Sequence, residues 1–134
     1  MRVAIAGGHG QIALRLARIL SERGDGVVAL IRNPDHTDEV TAAGAEPTVV
    51  DLEQAIEEDI AAAITGCDAV VFAAGAGPGS GSARKVTMDY GGAVKLIEAA
   101  QRAVTRRYVI VSSMGADPDQ PNMTASARSW CRAP

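Results

Sequence analysis

The sequence predicts an α/β chain, a doubly wound parallel sheet of five strands in the order 3-2-1-4-5. Three observations carry this. Short, wholly apolar runs alternate with stretches of helical periodicity. Glycine and proline punctuate the junctions between them. The apolar content is 47% of 134 residues, yet aromatic residues make up only 3%. A core of Ala, Val, Ile and Leu suits strands covered by helices on both faces. A succession of βαβ units then implies parallel strands joined by right-handed crossovers, and the doubly wound pattern gives the strand order.

The elements follow in sequence. Val3–Ala6 is a buried strand running into Gly7-Gly8. Gln11–Arg23 has helical spacing, with Ile12, Leu16 and Leu20 on one face and Ala13 and Ala17 beside them. Gly24 and Gly26 end it. Val27–Ile31 is a second strand. Asn33-Pro34 offers an N-cap followed by Pro at the first helical position, opening a short helix that runs to Gly44. Pro47–Val50 is the third strand. Glu53–Thr65 reads as a helix with Ile56, Ile60 and Ile64 spaced four apart and Gly66 closing it. Ala69–Ala74 is the fourth strand, and a glycine-rich loop covers Gly75–Gly81. Arg84–Val104 reads as one long helix with Val86, Tyr90, Val94 and Ile97 inward. Tyr108–Ser112 is the fifth strand.

Composition narrows the function classes. A net charge of −3 and a pI near 5.3 give no basic footprint for DNA or RNA. The scarcity of aromatics argues against base stacking on single strands. No apolar run reaches membrane-spanning length, and the run before Gly7 is too short for a secretory signal. Cys67 and Cys131 show no metal-ligand spacing, and no metal is expected. These features together predict a cytoplasmic protein with reduced thiols.

The chemistry concentrates at Gly7-Gly8-His9-Gly10-Gln11-Ile12-Ala13. Gly7, Gly10 and Ala13 fit G-x-x-G-x-x-[GA], a weak pattern in a chain with 14 glycines. Its placement makes it specific, because it leaves a strand and opens a helix within a βαβ unit. Gly7 permits the sharp turn, Gly10 admits a pyrophosphate close to the backbone, and Ala13 keeps the helix near the sheet. The N–H groups at the helix start, around Gln11 and Ile12, then point at the anion with the helix dipole behind them. A dinucleotide is the predicted ligand. His9 is either a loop residue whose backbone matters more than its ring or a phosphate contact, and His36 is assigned to the surface.

Arg32 predicts which dinucleotide. An NAD site usually carries Asp or Glu after the second strand to bond the adenosine ribose. Arg32 stands there instead. A guanidinium can grip a 2′-phosphate that a carboxylate would repel, so NADP(H) is expected over NAD(H). Otherwise Arg32 is a solvated surface side chain.

Several blocks in order resemble one family. They are the glycine turn, Ile31-Arg32-Asn33-Pro34, Val50-Asp51-Leu52, Gly66–Gly75, Asp89-Tyr90-Gly91-Gly92-Ala93 and Tyr108–Ser113. From Arg2 to about Gly115 the chain resembles the atypical short-chain dehydrogenase/reductases, in particular their NAD(P)H-binding, NmrA-like or sugar-epimerase-like members. The resemblance implies a Rossmann fold with Asp51 and Leu52 beside the adenine. It places Ala73, Ala74 and Gly75 under the ribose and pyrophosphate. Asp51 can equally be read as a turn or cap residue. At the end of the fifth strand, Ser112 is assigned to the cofactor site. Ser113 is the catalytic candidate that bonds a substrate oxygen, although both serines can also bond local backbone. The superfamily's proton-donating Tyr-x-x-x-Lys does not occur in this chain.

Residues 1–115 are therefore read as an NAD(P)-binding Rossmann domain and 116–134 as an irregular tail. Family members continue with further elements on the substrate side, so the chain is expected to be C-terminally truncated. The substrate is not identifiable from these residues. An uncovered fifth strand would leave an apolar edge, and self-association through it is expected. Three functions fit: an NADP-dependent oxidoreductase or epimerase, a non-catalytic NADP(H)-binding or redox-sensing module, or an inactive remnant.

Overall fold

The computed structural model describes residues 1–75 and 81–112. The element order is β1 (Arg2–Ala6), α1 (Gln11–Glu22), β2 (Gly26–Ile31), a 3₁₀ turn (Pro34–His36), α2 (Thr37–Ala42) and β3 (Glu46–Val49). There follow α3 (Glu57–Ile64), β4 (Ala69–Phe72), α4 (Gly81–Arg84), a π-helical stretch (Lys85–Gly92), α5 (Ala93–Arg102) and β5 (Arg107–Ile110). The sheet order is β3-β2-β1-β4-β5, as the sequence predicts. All four strand pairs are parallel, with Ala6 opposite Leu30 on one side and Phe72 on the other.

Alternation along the strands splits the core in two. Val3, Ile5, Val27, Ala29 and Ile31 face α1 and α2, packing with Ala13, Leu14, Ala17, Leu20 and Val40. Ala4, Ala6, Val28, Leu30, Val70 and Phe72 face the other way, against Ile60, Ile64, Leu96, Ala99 and Ala100 of α3 and α5. Period-2 side chains with apolar residues on both faces require helices on both faces. Cys67 packs in the second cluster, and burial pushes its thiol pKa up. Cys67 thus sits in the core as a small buried hydrophobe.

The helix faces differ from expectation in an instructive way. In α1, Leu20 is buried as predicted and Leu16 is partly so, but Ile12 is 54% exposed and Leu14 takes the inward place. Ile56 precedes α3 as its N-cap and is likewise exposed, because residues 51–54 form a turn rather than the first turn of that helix. The expected long helix from Arg84 is broken into π and α portions. Val86 and Tyr90 are exposed, Val94 and Ile97 are only half-buried, and Ala93, Leu96, Ala99 and Ala100 face the sheet. Small side chains let a helix lie close to strands, so alanines hold the contact and the bulkier residues turn aside. The π stretch also shifts the helical phase. Among the described residues β5 is an edge strand, with Val109 exposed on it.

Candidate functional site

The C-terminal ends of β1 to β4 open onto one cleft of about 330 Å³. It is lined by Gly7–Gly10 from the first connection, Leu30–Asn33 with His36 from the second, Val50–Leu52 from the third and Ala73–Gly75 from the fourth, with Arg84 and Met88 closing one side. It sits where the strand order reverses between β1 and β4, the place where open parallel sheets take ligands. Its volume is at the lower end of the range for small-molecule sites.

The glycine turn is shaped by contact. Gly7 has φ +76°, and a Cβ there would lie 2.5 Å from the Ala74 Cα. Gly8 donates its N–H to the Leu30 carbonyl at 2.9 Å, and a Cβ on it would meet that of Ala29 at 2.6 Å. Gly8 is thus also held by close contact, although its φ is not positive and it lies outside the three-position pattern. α1 starts on Gly10 with no side-chain cap and no acidic residue in its first turn. Its positive end is left for an anion. A pyrophosphate fits this cradle.

The second wall holds Arg32 and two histidines. Asn33 caps the 3₁₀ turn by accepting the Asp35 N–H at 3.0 Å, with Pro34 following it as expected. That turn carries His36 into the cleft, where its ring stacks on His9 with centroids 3.5 Å apart. His9 donates to Glu39 through Nε2 at 2.6 Å. His36 is therefore a half-buried cleft residue rather than the surface residue its position suggested. Arg32 is 56% exposed at its side chain, and its Nη1 lies 3.6 Å from Glu53.

The third wall is a turn organised from both sides. Asp51 Oδ1 accepts the Glu53 N–H at 2.9 Å, and the Asp51 carbonyl accepts from Gln54 and Ala55. Lys95 Nζ, reaching from α5, donates to the carbonyls of Leu52, Glu53 and Ala55 at 3.2, 2.9 and 3.2 Å. The turn reading of Asp51 thus holds, and the residue also lines the cleft.

Gly7, His9, Gly10, Arg32, Asp51, Leu52, Ala73, Ala74 and Gly75 all come together in the cleft. Gln11 and Ile12 sit exposed on the opening turn of α1, and Ser112 is exposed beyond β5; none of the three lines it. Ser113 and the proposed tail lie outside the described residues. Sequence reasoning did not assign Gly8, Leu30, Ile31, Asn33, His36, Val50, Arg84 or Met88 as lining residues. Of these, Gly8, Ile31, Asn33 and Val50 carried a local signal, being the neighbours of assigned positions.

A parallel sheet in this order, with a glycine cradle at a helix start beneath its switch point, defines a dinucleotide-binding Rossmann domain. A family model described as NAD(P)H-binding matches residues 7–133, and the chain belongs to that family. The match runs past Gly115, through the residues read as a tail. Over 117 residues the chain is 39% identical to a Bacillus subtilis protein named as an uncharacterized sugar epimerase, covering 87% of this chain and 54% of that one. It is 34% identical over 120 residues to a UPF0659 protein of Saccharomyces cerevisiae, covering 87% and 52%. A solved structure from Bacillus halodurans, described as an NAD-dependent epimerase/dehydratase, superposes with a TM-score of 0.85 at 36% identity, over 97% of this chain and 60% of that one. The chain spans about half the length of these sequence relatives. No helix among the described residues is long and apolar enough to cross a membrane.

Proposed function

We propose that this chain forms the cofactor-binding part of an oxidoreductase or epimerase that takes NADP(H) in preference to NAD(H). One observation carries the preference: the cleft position at the end of β2 holds Arg32, where an NAD site usually holds a carboxylate. In this reading the glycine turn and the start of α1 hold the pyrophosphate, Asp51 and Leu52 flank the adenine, and Ala73 to Gly75 leave room for the ribose. The bound cofactor supplies the redox chemistry, and the protein binds and orients it. Ser113 is assigned to a substrate oxygen, and a cytoplasmic setting accompanies this role.

Calorimetric titration with NADPH and NADH tests it. A charge-assisted contact to a 2′-phosphate contributes about 1.5–3 kcal/mol, roughly ten- to a hundredfold in affinity. NADPH should bind tighter by that order, and Arg32→Ala should bring the two dissociation constants together. Equal constants in the parent chain, or an Arg32→Ala variant that keeps its preference, would refute the reading. Tight binding with no turnover across a panel of carbonyl substrates would favour a sensing module over an enzyme.

A further inference from the structure

Glu53 stands at the meeting point of the two arginines that line the cleft. Its Oε2 lies 3.6 Å from Arg32 Nη1 and 3.4 Å from both Nε and Nη2 of Arg84. Its Oε1 accepts the Thr87 hydroxyl at 2.9 Å. The main chain at the same residue is held by Lys95. The carboxylate is only 16% exposed. It does not line the cleft, but both arginines it contacts do.

We infer that Glu53 is a built-in competitor for the cofactor's 2′-phosphate, which limits how strongly the site prefers NADP(H) over NAD(H). The inference rests on the assignment of Arg32 to that phosphate. A phosphate reaching Arg32 must share its guanidinium with an anion already there. The Arg32 contact is long and belongs to an exposed side chain, so it adds little orientation. Its main effect is charge compensation: two guanidiniums and one carboxylate leave one net positive charge where two could face the phosphate. Glu53 cannot swing clear when Arg32 leaves it, because Arg84 and Thr87 keep hold of it. NADH lacks the 2′-phosphate, and its pyrophosphate is placed over the glycine turn, so its affinity should respond weakly.

The test is calorimetric titration of NADPH and NADH into the parent chain, Glu53→Gln, Arg32→Ala and the double variant. Glutamine keeps the size of the side chain and its acceptor for Thr87 while removing the charge. The ratio of the NADH to the NADPH dissociation constant should rise about three- to tenfold in Glu53→Gln, with the NADH constant changing less than twofold. Glu53→Asp, which withdraws the carboxylate by one methylene, should raise the ratio less and serves if the glutamine variant folds poorly. In the Arg32→Ala background Glu53→Gln should raise the ratio less than in the parent, because of the two guanidiniums only that of Arg84 is left beside the carboxylate. If Arg32→Ala removes the preference but neither Glu53 variant raises the ratio, the competitor role is wrong and the Arg32 assignment stands. If Arg32→Ala leaves the preference intact, both fall together.

Discussion

Lys95→Met should destabilise the fold far more than the loss of an ordinary surface lysine. The ammonium donates to three carbonyls of one turn at 2.9–3.2 Å, while Asp51 takes N–H groups of the same turn. Methionine keeps the stem and leaves those carbonyls without their cation. Hydrogen bonds to a charged group contribute about 1.5–3 kcal/mol each, but three from one partly exposed group are not additive, and water can replace some of them. A net loss of about 2–3 kcal/mol is expected, which for a domain of this size lowers Tm by roughly 6–15 °C. Arg102→Ala on the same helix is the control. Its contacts to Glu57 and Glu58 at 3.0 Å are exposed ion pairs, for which a cost below about 1 kcal/mol is expected. Urea unfolding followed by far-UV circular dichroism measures both variants. A Lys95→Met loss below about 0.5 kcal/mol, or one no larger than that of Arg102→Ala, would show that the turn holds itself and that the lysine merely rests on it.

Two further outcomes follow from the same contacts. Gly7→Ala forces a side chain onto φ +76° and into the Ala74 backbone. It should cost about 2–4 kcal/mol and abolish measurable cofactor binding, and a folded variant binding NADPH like the parent would contradict the cradle. Burial raises the pKa of Tyr108 well above the ordinary tyrosine range, and its hydroxyl donates to the Ala93 carbonyl at 3.1 Å. Its folded-state pKa therefore exceeds the unfolded value near 10. The stability it contributes is complete below that pH and is lost as pH rises above it. In a Tyr90→Phe background, tyrosinate absorbance should appear only as the chain unfolds in alkali. Titration near pH 10 with the circular dichroism unchanged would refute this.

What the sequence disclosed was whatever its local order encodes. The glycine turn was readable because its chemistry lies in seven consecutive residues and its neighbours are a strand and a helix. The strand order was readable because βαβ units admit few topologies. The helix faces were misread where bulk was taken for burial: Ile12, Ile56, Val86 and Tyr90 are large and exposed, while Ala13, Ala17, Ala93 and Ala99 are small and buried. Alanine carries almost no signal in a hydrophobic pattern, yet it is what allows close helix–sheet contact. The site's supporting contacts were hidden by separation along the chain. Glu53 meets Arg84 across 31 residues, and Lys95 reaches the Leu52 carbonyl across 43. No local pattern joins such residues.

The division between local and distant contacts bears on how binding can be separated from turnover. Four successive strand ends each contribute one wall of the cleft, and their supports, Asp51, Lys95, Asn33 and the glycine turn itself, all lie within residues 7–95. Among the described residues, the groups read as receiving a cofactor's adenosine and phosphates all precede β5. Ser113 is different. It follows β5, outside the described residues, and the work proposed for it needs a substrate held opposite the cofactor. In the proposed reading, cofactor affinity and catalysis depend on different stretches of chain. A variant at Arg32 or Glu53 should change the ratio of the NADH to the NADPH dissociation constant, whereas Ser113→Ala should leave both constants as they are and, in the proposed reading, affect only turnover.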